Sequence, residues 1–447
     1  MSSLMHDYLT PETPRPLFSD AQWLEAMLTF ESQLAQAEAE CSVISQDAAD
    51  AISRACECVT IDRDTFVRQA RQSGAIGVAL VRPLQQWLSS HAPDAAQWLH
   101  WGSTTQDVVD TANAMLTQEA LKDLQASLGG LCAQLERLAN EHADTPTMAR
   151  TLMQPAQVTS FGLKCAQMAR ALVWQSEQLK SAAQSALVVQ LGGAVGNRAS
   201  LGDKALPVEK ALARRLQLGV SGSGWHTQRA PWMRLGMEVA VLCGSFAKLA
   251  KDWALLSQFE VGEISESTHG STSSAMPHKR NPVHCMQAIA LTQAVPQMAA
   301  TLLSCMPQAH ERALGEWQAE VAQWPALWRH AIAACSALEQ AAEGLQVHES
   351  RMKANIDALR QVIFSESFVQ ALAPLLGQVK ASELVSVQSE RALTESRPLG
   401  LLLQQWLEHS VESGAPRHQA YEMISSVADL DNAVAASAHE CRKLMEE

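Results

Sequence analysis

The sequence predicts an all-α protein, and three observations carry that prediction. Ala, Leu and Gln recur throughout, while aromatic residues make up 5% of the 447 residues and Tyr occurs only twice; this composition favours helix over strand. Leucines fall at helical spacing over long stretches. Strand-like alternation of useful length is absent, with residues 186–190 the one candidate exception. At 47% hydrophobic and 18% charged residues, the chain is globular and long enough for two or three domains.

The elements follow in order. Pro11, Pro14 and Pro16 predict an extended lead-in. Asp20 is placed to cap a helix whose apolar positions are Leu24, Met27, Leu28 and Leu34. Shorter helices are expected to about residue 98, with a break at His91-Ala-Pro93. A long helix over 108–142 carries Leu116, Leu121, Leu124, Leu128, Leu131, Leu135 and Leu138 along one side, weakened by Gly129-Gly130. Further helices are expected at 157–185, 231–259, 281–306 and 316–345. Beyond about 355 the helices shorten, broken by Pro374, Gly377, Pro398, Gly400, Gly414 and Pro416. Three helical domains result: 1–107, a central long-helix bundle over 108–354, and 355–447. Long apolar helices of this kind pack in bundles or against other subunits.

The formal charge of −13 argues against nucleic acid, whose phosphates need a basic surface. The ten cysteines form no Cys-x-x-Cys pair, read as buried free thiols, and suit a reducing compartment. No basic segment followed by an apolar run opens the chain, and no stretch is long and apolar enough to span a bilayer. A cytoplasmic protein without a membrane partner is expected. Gly192-Gly193-Ala-Val-Gly196 follows no clear strand and lacks a dinucleotide fingerprint. No metal-ligand cluster or cofactor motif is visible.

The chemistry concentrates at 262–282. Small hydroxyl residues at 271–274 lead into Met276-Pro-His-Lys279-Arg-Asn281-Pro. Lys279 offers a compact positive charge and Asn281 an amide donor, a pair suited to a carboxylate. A helix starting near Asn281 would aim its free N–H groups at the same anion. An ordinary surface loop leading into a helix fits the same residues. Upstream, His100-Trp-Gly-Ser-Thr104-Thr105-Gln-Asp107 offers hydroxyls for a carboxylate, or equally a helix cap.

Residues 273–282, Ser-Ser-Ala-Met-Pro-His-Lys-Arg-Asn-Pro, resemble the long signature of the fumarase/aspartase superfamily. Two further blocks match. Residues 100–107 are similar to its first block, with Thr105 in place of serine. Residues 149–156, Ala-Arg150-Thr-Leu152-Met-Gln154-Pro-Ala, are similar to its second, with Leu152 in place of histidine. Thr272 departs from the glycine that usually precedes the first serine. The resemblance implies that Ser273 is the general base, that Lys279 and Asn281 bind the carboxylate that becomes an aci-carboxylate, and that no cofactor is needed. It also implies a homotetramer whose active sites combine blocks from different subunits.

The missing histidine narrows the branch. Members that expel an amine or hydroxide use that region to protonate a poor leaving group, and leucine cannot do so. A carboxylate released from a lactone needs little acid assistance. Residues 225–229 and 306–317 resemble the 3-carboxymuconate cycloisomerase branch, in which the histidine is absent and usually replaced by tryptophan. The expected substrate is therefore a small tricarboxylate, held by Thr104, Thr105, Gln154, Arg150, His310, Arg312 and His100. Two other readings remain: a C–N lyase releasing fumarate from an N-succinyl compound, and a catalytically silent relative.

Overall fold

A computed structural model of the chain describes residues 8–9, 17–267, 276 and 279–446. The expected lead-in at Pro11, Pro14 and Pro16, together with Thr272 and Ser273, lies outside the described residues. Helix dominates, as predicted. The chain forms two compact units, each assembled from three segments: residues 1–128, 174–247 and 287–337 in the first, and 129–173, 248–286 and 338–447 in the second.

The first unit opens with helix Asp20–Glu40. Its cap is Ser19 rather than Asp20: the Gln22 N–H donates to Ser19 Oγ, and the Ser19 N–H donates back to Gln22 Oε1. This reciprocal pair satisfies two otherwise free donors. Asp20 opens the first turn instead, where the helix dipole favours an acid. Helices Gln46–Cys58, Arg63–Ser73 and Ile76–His91 follow, and Pro93 starts the short Pro93–Ala96 turn at the expected break. Ala49, Ile52, Ala55, Leu84 and Leu88 form a core among them. Helix Thr105–Glu141 buries Val108, Ala112, Leu116 and Leu124 in this unit, each worth about 1–3 kcal/mol of burial according to its size. Trp232 stacks on Trp324 with ring centroids 4.2 Å apart. The run expected at 281–306 is two helices, Val283–Gln293 and Val295–Ser304. Pro296, near the start of the second, lacks the N–H that a continuous helix would use.

The second unit contains what the sequence reading missed. Strands β1 (Pro146–Thr151) and β2 (Gln154–Ser160) make an antiparallel hairpin, and helix Phe161–Ala186 starts directly after it. The turn residues Leu152 and Met153 both have positive φ, 50° and 67°. That geometry usually announces itself with Asn or Gly, so this hairpin had no turn signature. A second small pair joins β3 (Ile264–Glu266) to β4 (Leu345–Val347). Residues 186–190 contribute only an isolated bridge, Val188 to Gly219. Short helices from Glu349 onward, as expected, surround Phe368, Leu372, Leu399, Leu403 and Leu407. Among the described residues no helix is long and apolar enough to cross a membrane. No disulfide joins the ten cysteines, and all but Cys41 and Cys58 are buried.

Candidate active site

In the first unit the site is built on the head of helix Thr105–Glu141. Asp107 and Asp110 sit three residues apart, hence on one helix face, and both are buried. Asp107 accepts from the backbone N–H groups of Gly192 and Gly193, each at 2.9 Å, and lies 2.7 Å from His226 Nε2. The glycine loop thus cradles a carboxylate of the protein itself. Gly192 is required by proximity: a Cβ there would lie 2.5 Å from the His226 ring. His226 is the buried partner of Asp107.

Asp110 accepts from Arg229 at 2.7 and 3.2 Å and from Trp317 Nε1 at 2.9 Å. Arg229 also donates to Glu320 and stacks over Trp225, 4.5 Å from the ring centre. Burial alone would lower the Arg229 pKa, but Asp110 and Glu320 reverse this and raise it, so the guanidinium stays charged. Sequence reasoning missed Asp110, Arg229 and Glu320 as a network. The only available signal was acids within apolar helices and a basic residue just before one, types rarely buried without partners.

Around this scaffold lie residues with capacity to spare. His100 and Thr105 line a groove of about 660 Å³ along helix Ile76–His91, together with Gly77, Arg82 and Gln85. Thr104 is partly exposed, and its carbonyl accepts the Val108 N–H at 3.3 Å. His100 and His310 both adopt positive φ, 61° and 52°, which is uncommon for a non-glycine residue and marks places where other contacts hold the backbone. His310 is exposed. Arg312 donates to the carbonyls of Gly193 and Ala194 at 2.9 and 3.0 Å, while its Nε has no partner. Burial lowers its pKa, opposed by Asp107 and Asp110. Among the described residues no carboxylate forms an ion pair with it, so it can still receive an anion.

The second unit carries the other two blocks. Arg150 does not offer a free guanidinium there. It binds Glu263 through two contacts, 2.7 and 3.3 Å, and Glu263 also accepts from Thr147 and Asn355. Arg150, expected to grip a substrate, makes an ion pair that ties the hairpin to the residue preceding β3. Leu152, at the hairpin tip, is 95% exposed, Met153 is 67% exposed, and Gln154 is exposed too.

Lys279 and Asn281 are exposed. The helix N-terminus expected to serve the same anion is already occupied. Glu266 on β3 accepts the N–H groups of His284 and Cys285, both at 2.9 Å. A buried carboxylate at that position satisfies the first donors of helix Val283–Gln293 and complements its dipole, so those groups are not offered to a substrate. Among the described residues no three His, Cys, Asp or Glu side chains converge to hold a metal ion.

A family described as "Lyase" matches residues 8–296. The chain is 35% identical to the 3-carboxy-cis,cis-muconate cycloisomerase of Bradyrhizobium diazoefficiens, over 96% of this chain and 94% of that protein. It is 36% identical to the enzyme of the same name from Pseudomonas putida, over 90% and 96%. Its fold is similar to the solved structure of the 3-carboxy-cis,cis-muconate lactonizing enzyme from Pseudomonas putida, with a TM-score of 0.90, 33% identity, and 99% and 98% of the two chains covered.

Proposed function

The chain belongs to this lyase family, within the fumarase/aspartase superfamily, and from that premise we propose that it interconverts 3-carboxy-cis,cis-muconate and 4-carboxymuconolactone. In the direction of lactone opening, Ser273, as alkoxide, removes a proton from the carbon next to a carboxylate. Lys279 and Asn281 stabilise the resulting aci-carboxylate by charge and hydrogen bonding. The ring C–O bond then breaks and the leaving carboxylate departs as a stable anion. Lactone formation reverses these steps.

The observation that carries the reading is Leu152. The hairpin tip of the second block reaches solvent, yet it presents an alkyl side chain with no proton to give. An amine leaving group needs a proton donor, whereas a carboxylate does not. The remaining carboxylates fall to Thr104, Thr105, Gln154, His100, His310 and Arg312, with Arg312 the strongest candidate because its charge lacks a protein counterion among the described residues. Arg150 acts in this scheme through Glu263, as an anchor of the hairpin.

The same proposal includes a homotetramer in which the exposed tip of one subunit completes the site of another. It also includes the division into domains 1–107, 108–354 and 355–447, and a cytoplasmic location, which ten cysteines without a disulfide support. Incubation with 3-carboxymuconate should consume its ultraviolet absorbance, and Ser273→Ala should abolish that activity. An inert wild-type chain at high concentration refutes the assignment; full turnover by Ser273→Ala refutes the base.

A further inference from the structure

The acid paired with His100 lies far from it in sequence. His100 Nδ1 is 2.6 Å from Glu31 Oε1. Glu31 is on helix Asp20–Glu40, and its side chain is completely buried, whereas that of His100 remains 20% exposed. Ser103 Oγ lies 3.0 Å from the same ring nitrogen. The other nitrogen, Nε2, has no partner among the described residues, and His100 lines the groove beside Thr105. The positive φ of His100 shows that the backbone carrying the ring is held against local preference. A buried acid on one ring nitrogen, with the ring edge open to a groove, fixes the orientation of the imidazole and favours its doubly protonated form.

We propose that Glu31 is a positioning residue for this site, holding His100 with Nδ1–H turned inward so that Nε2–H is presented to a substrate carboxylate in the groove. The identity of that carboxylate rests on the proposed cycloisomerase reading; the coupling of Glu31 to His100 does not.

The electrostatics agree in sign. Burial lowers the His100 pKa, but the charge and hydrogen bond of Glu31, with a smaller contribution from Asp107, outweigh it and raise the pKa. The imidazolium therefore persists to higher pH than in a free histidine, and its anion-binding charge is lost as pH rises through the raised value. The other ionisable groups around the pair are Glu38 on the same helix, Cys56 on helix Gln46–Cys58, and Arg82 on the groove wall. Glu38 and Cys56 are buried, and burial favours the neutral forms of both, reinforced in each case by the charge of Glu31.

The test uses the full-length chain and the variants Glu31→Gln, His100→Asn and the double variant. Without substrate, the His100 ring signal is followed by NMR against pH, with His100→Asn giving its assignment. Glu31→Gln, which keeps an acceptor but removes the charge, should lower the His100 pKa measurably. An unchanged titration overturns the coupling whatever the substrate is. With 3-carboxymuconate, Glu31→Gln should raise KM about tenfold at pH 8 and by less at pH 6, where the lower pH returns part of the His100 charge. It should add nothing in the His100→Asn background. A purely structural role predicts an equal loss at both pH values and additive effects, and that result overturns the proposal. Should Glu31→Gln fail to fold, Glu31→Asp, whose carboxylate is drawn back by one methylene, takes its place with the same expected direction of both shifts. A wild type that titrates as expected yet leaves 3-carboxymuconate untouched refutes the substrate and leaves the coupling standing.

Discussion

The head of helix Thr105–Glu141 and the tip of the β1–β2 hairpin both belong to blocks that read, from sequence, as substrate-binding. They are built on opposite principles. At the helix head the acids Asp107 and Asp110 are buried and supplied with protein donors: two backbone N–H groups, a histidine, an arginine and a tryptophan. At the hairpin tip Leu152 and Met153 stand largely in solvent. The first region is complete within one chain and acts by holding other groups in place. The second buries little of what it presents, as expected of a surface that finishes its packing elsewhere. A motif match identifies both but does not tell a buried acid with protein donors from an exposed alkyl tip; burial does.

The largest effect should come from breaking the scaffold. Arg229→Met leaves Asp110 and Glu320 facing each other without a countercharge in a site closed to water. Loss of one partner from a buried ionic network costs about 3–5 kcal/mol, read as a large fall in Tm by thermal denaturation. Next comes Gly192→Ala, whose new methyl would press on the His226 ring and on Gly196. Overpacking of this kind costs about 1–3 kcal/mol, and a Tm within a degree of wild type would show that the loop yields without disturbing Asp107.

This contrast also explains what the sequence made legible. Helix positions followed from leucine spacing, which depends only on local periodicity, and the three blocks stood out by their resemblance to the superfamily's signatures. The Asp107–His226 pair was invisible because it joins residues 119 positions apart. The Glu31–His100 pair, 69 positions apart, was invisible for the same reason. Arg150 looked like a free cation because its partner, Glu263, lies across the fold of the second unit, with nothing in the local sequence to connect them. The hairpin was missed because its turn adopts left-handed geometry on Leu and Met, residues that do not signal it.

A smaller effect separates acids with partners from one without. Glu38 lies in the interior of the first unit, with Oε1 unpartnered. Burial, reinforced by Glu31, pushes its carboxyl up to about 9. Because the folded value exceeds the unfolded one, Glu38 favours folding at low pH. That contribution is lost as pH climbs from the ordinary carboxyl range, about 4.5, towards 9. Glu38→Gln should therefore match wild type near pH 4.5 and become progressively more stable than it as pH rises towards 8. Melting curves at several pH values check this; a gain independent of pH would place its origin in packing rather than ionisation.

The smallest effect on stability, and the sharpest test of the comparison, belongs to Leu152. A side chain 95% exposed contributes little to its own chain, so Leu152→Asp should change stability by no more than about 0.5 kcal/mol. If the tip completes the site of a second subunit, the new carboxylate is set against a tricarboxylate substrate, and KM should rise about tenfold, which corresponds to about 1.4 kcal/mol of repulsion. Raising the salt concentration should recover part of that loss, because a solvent-accessible charge is screened. An unchanged KM alongside an unchanged Tm would mean that the tip reaches no active site. The absence of histidine at 152 would then say nothing about the leaving group, and the choice between a lactone and an amine would have to rest on His100 and Arg312 instead.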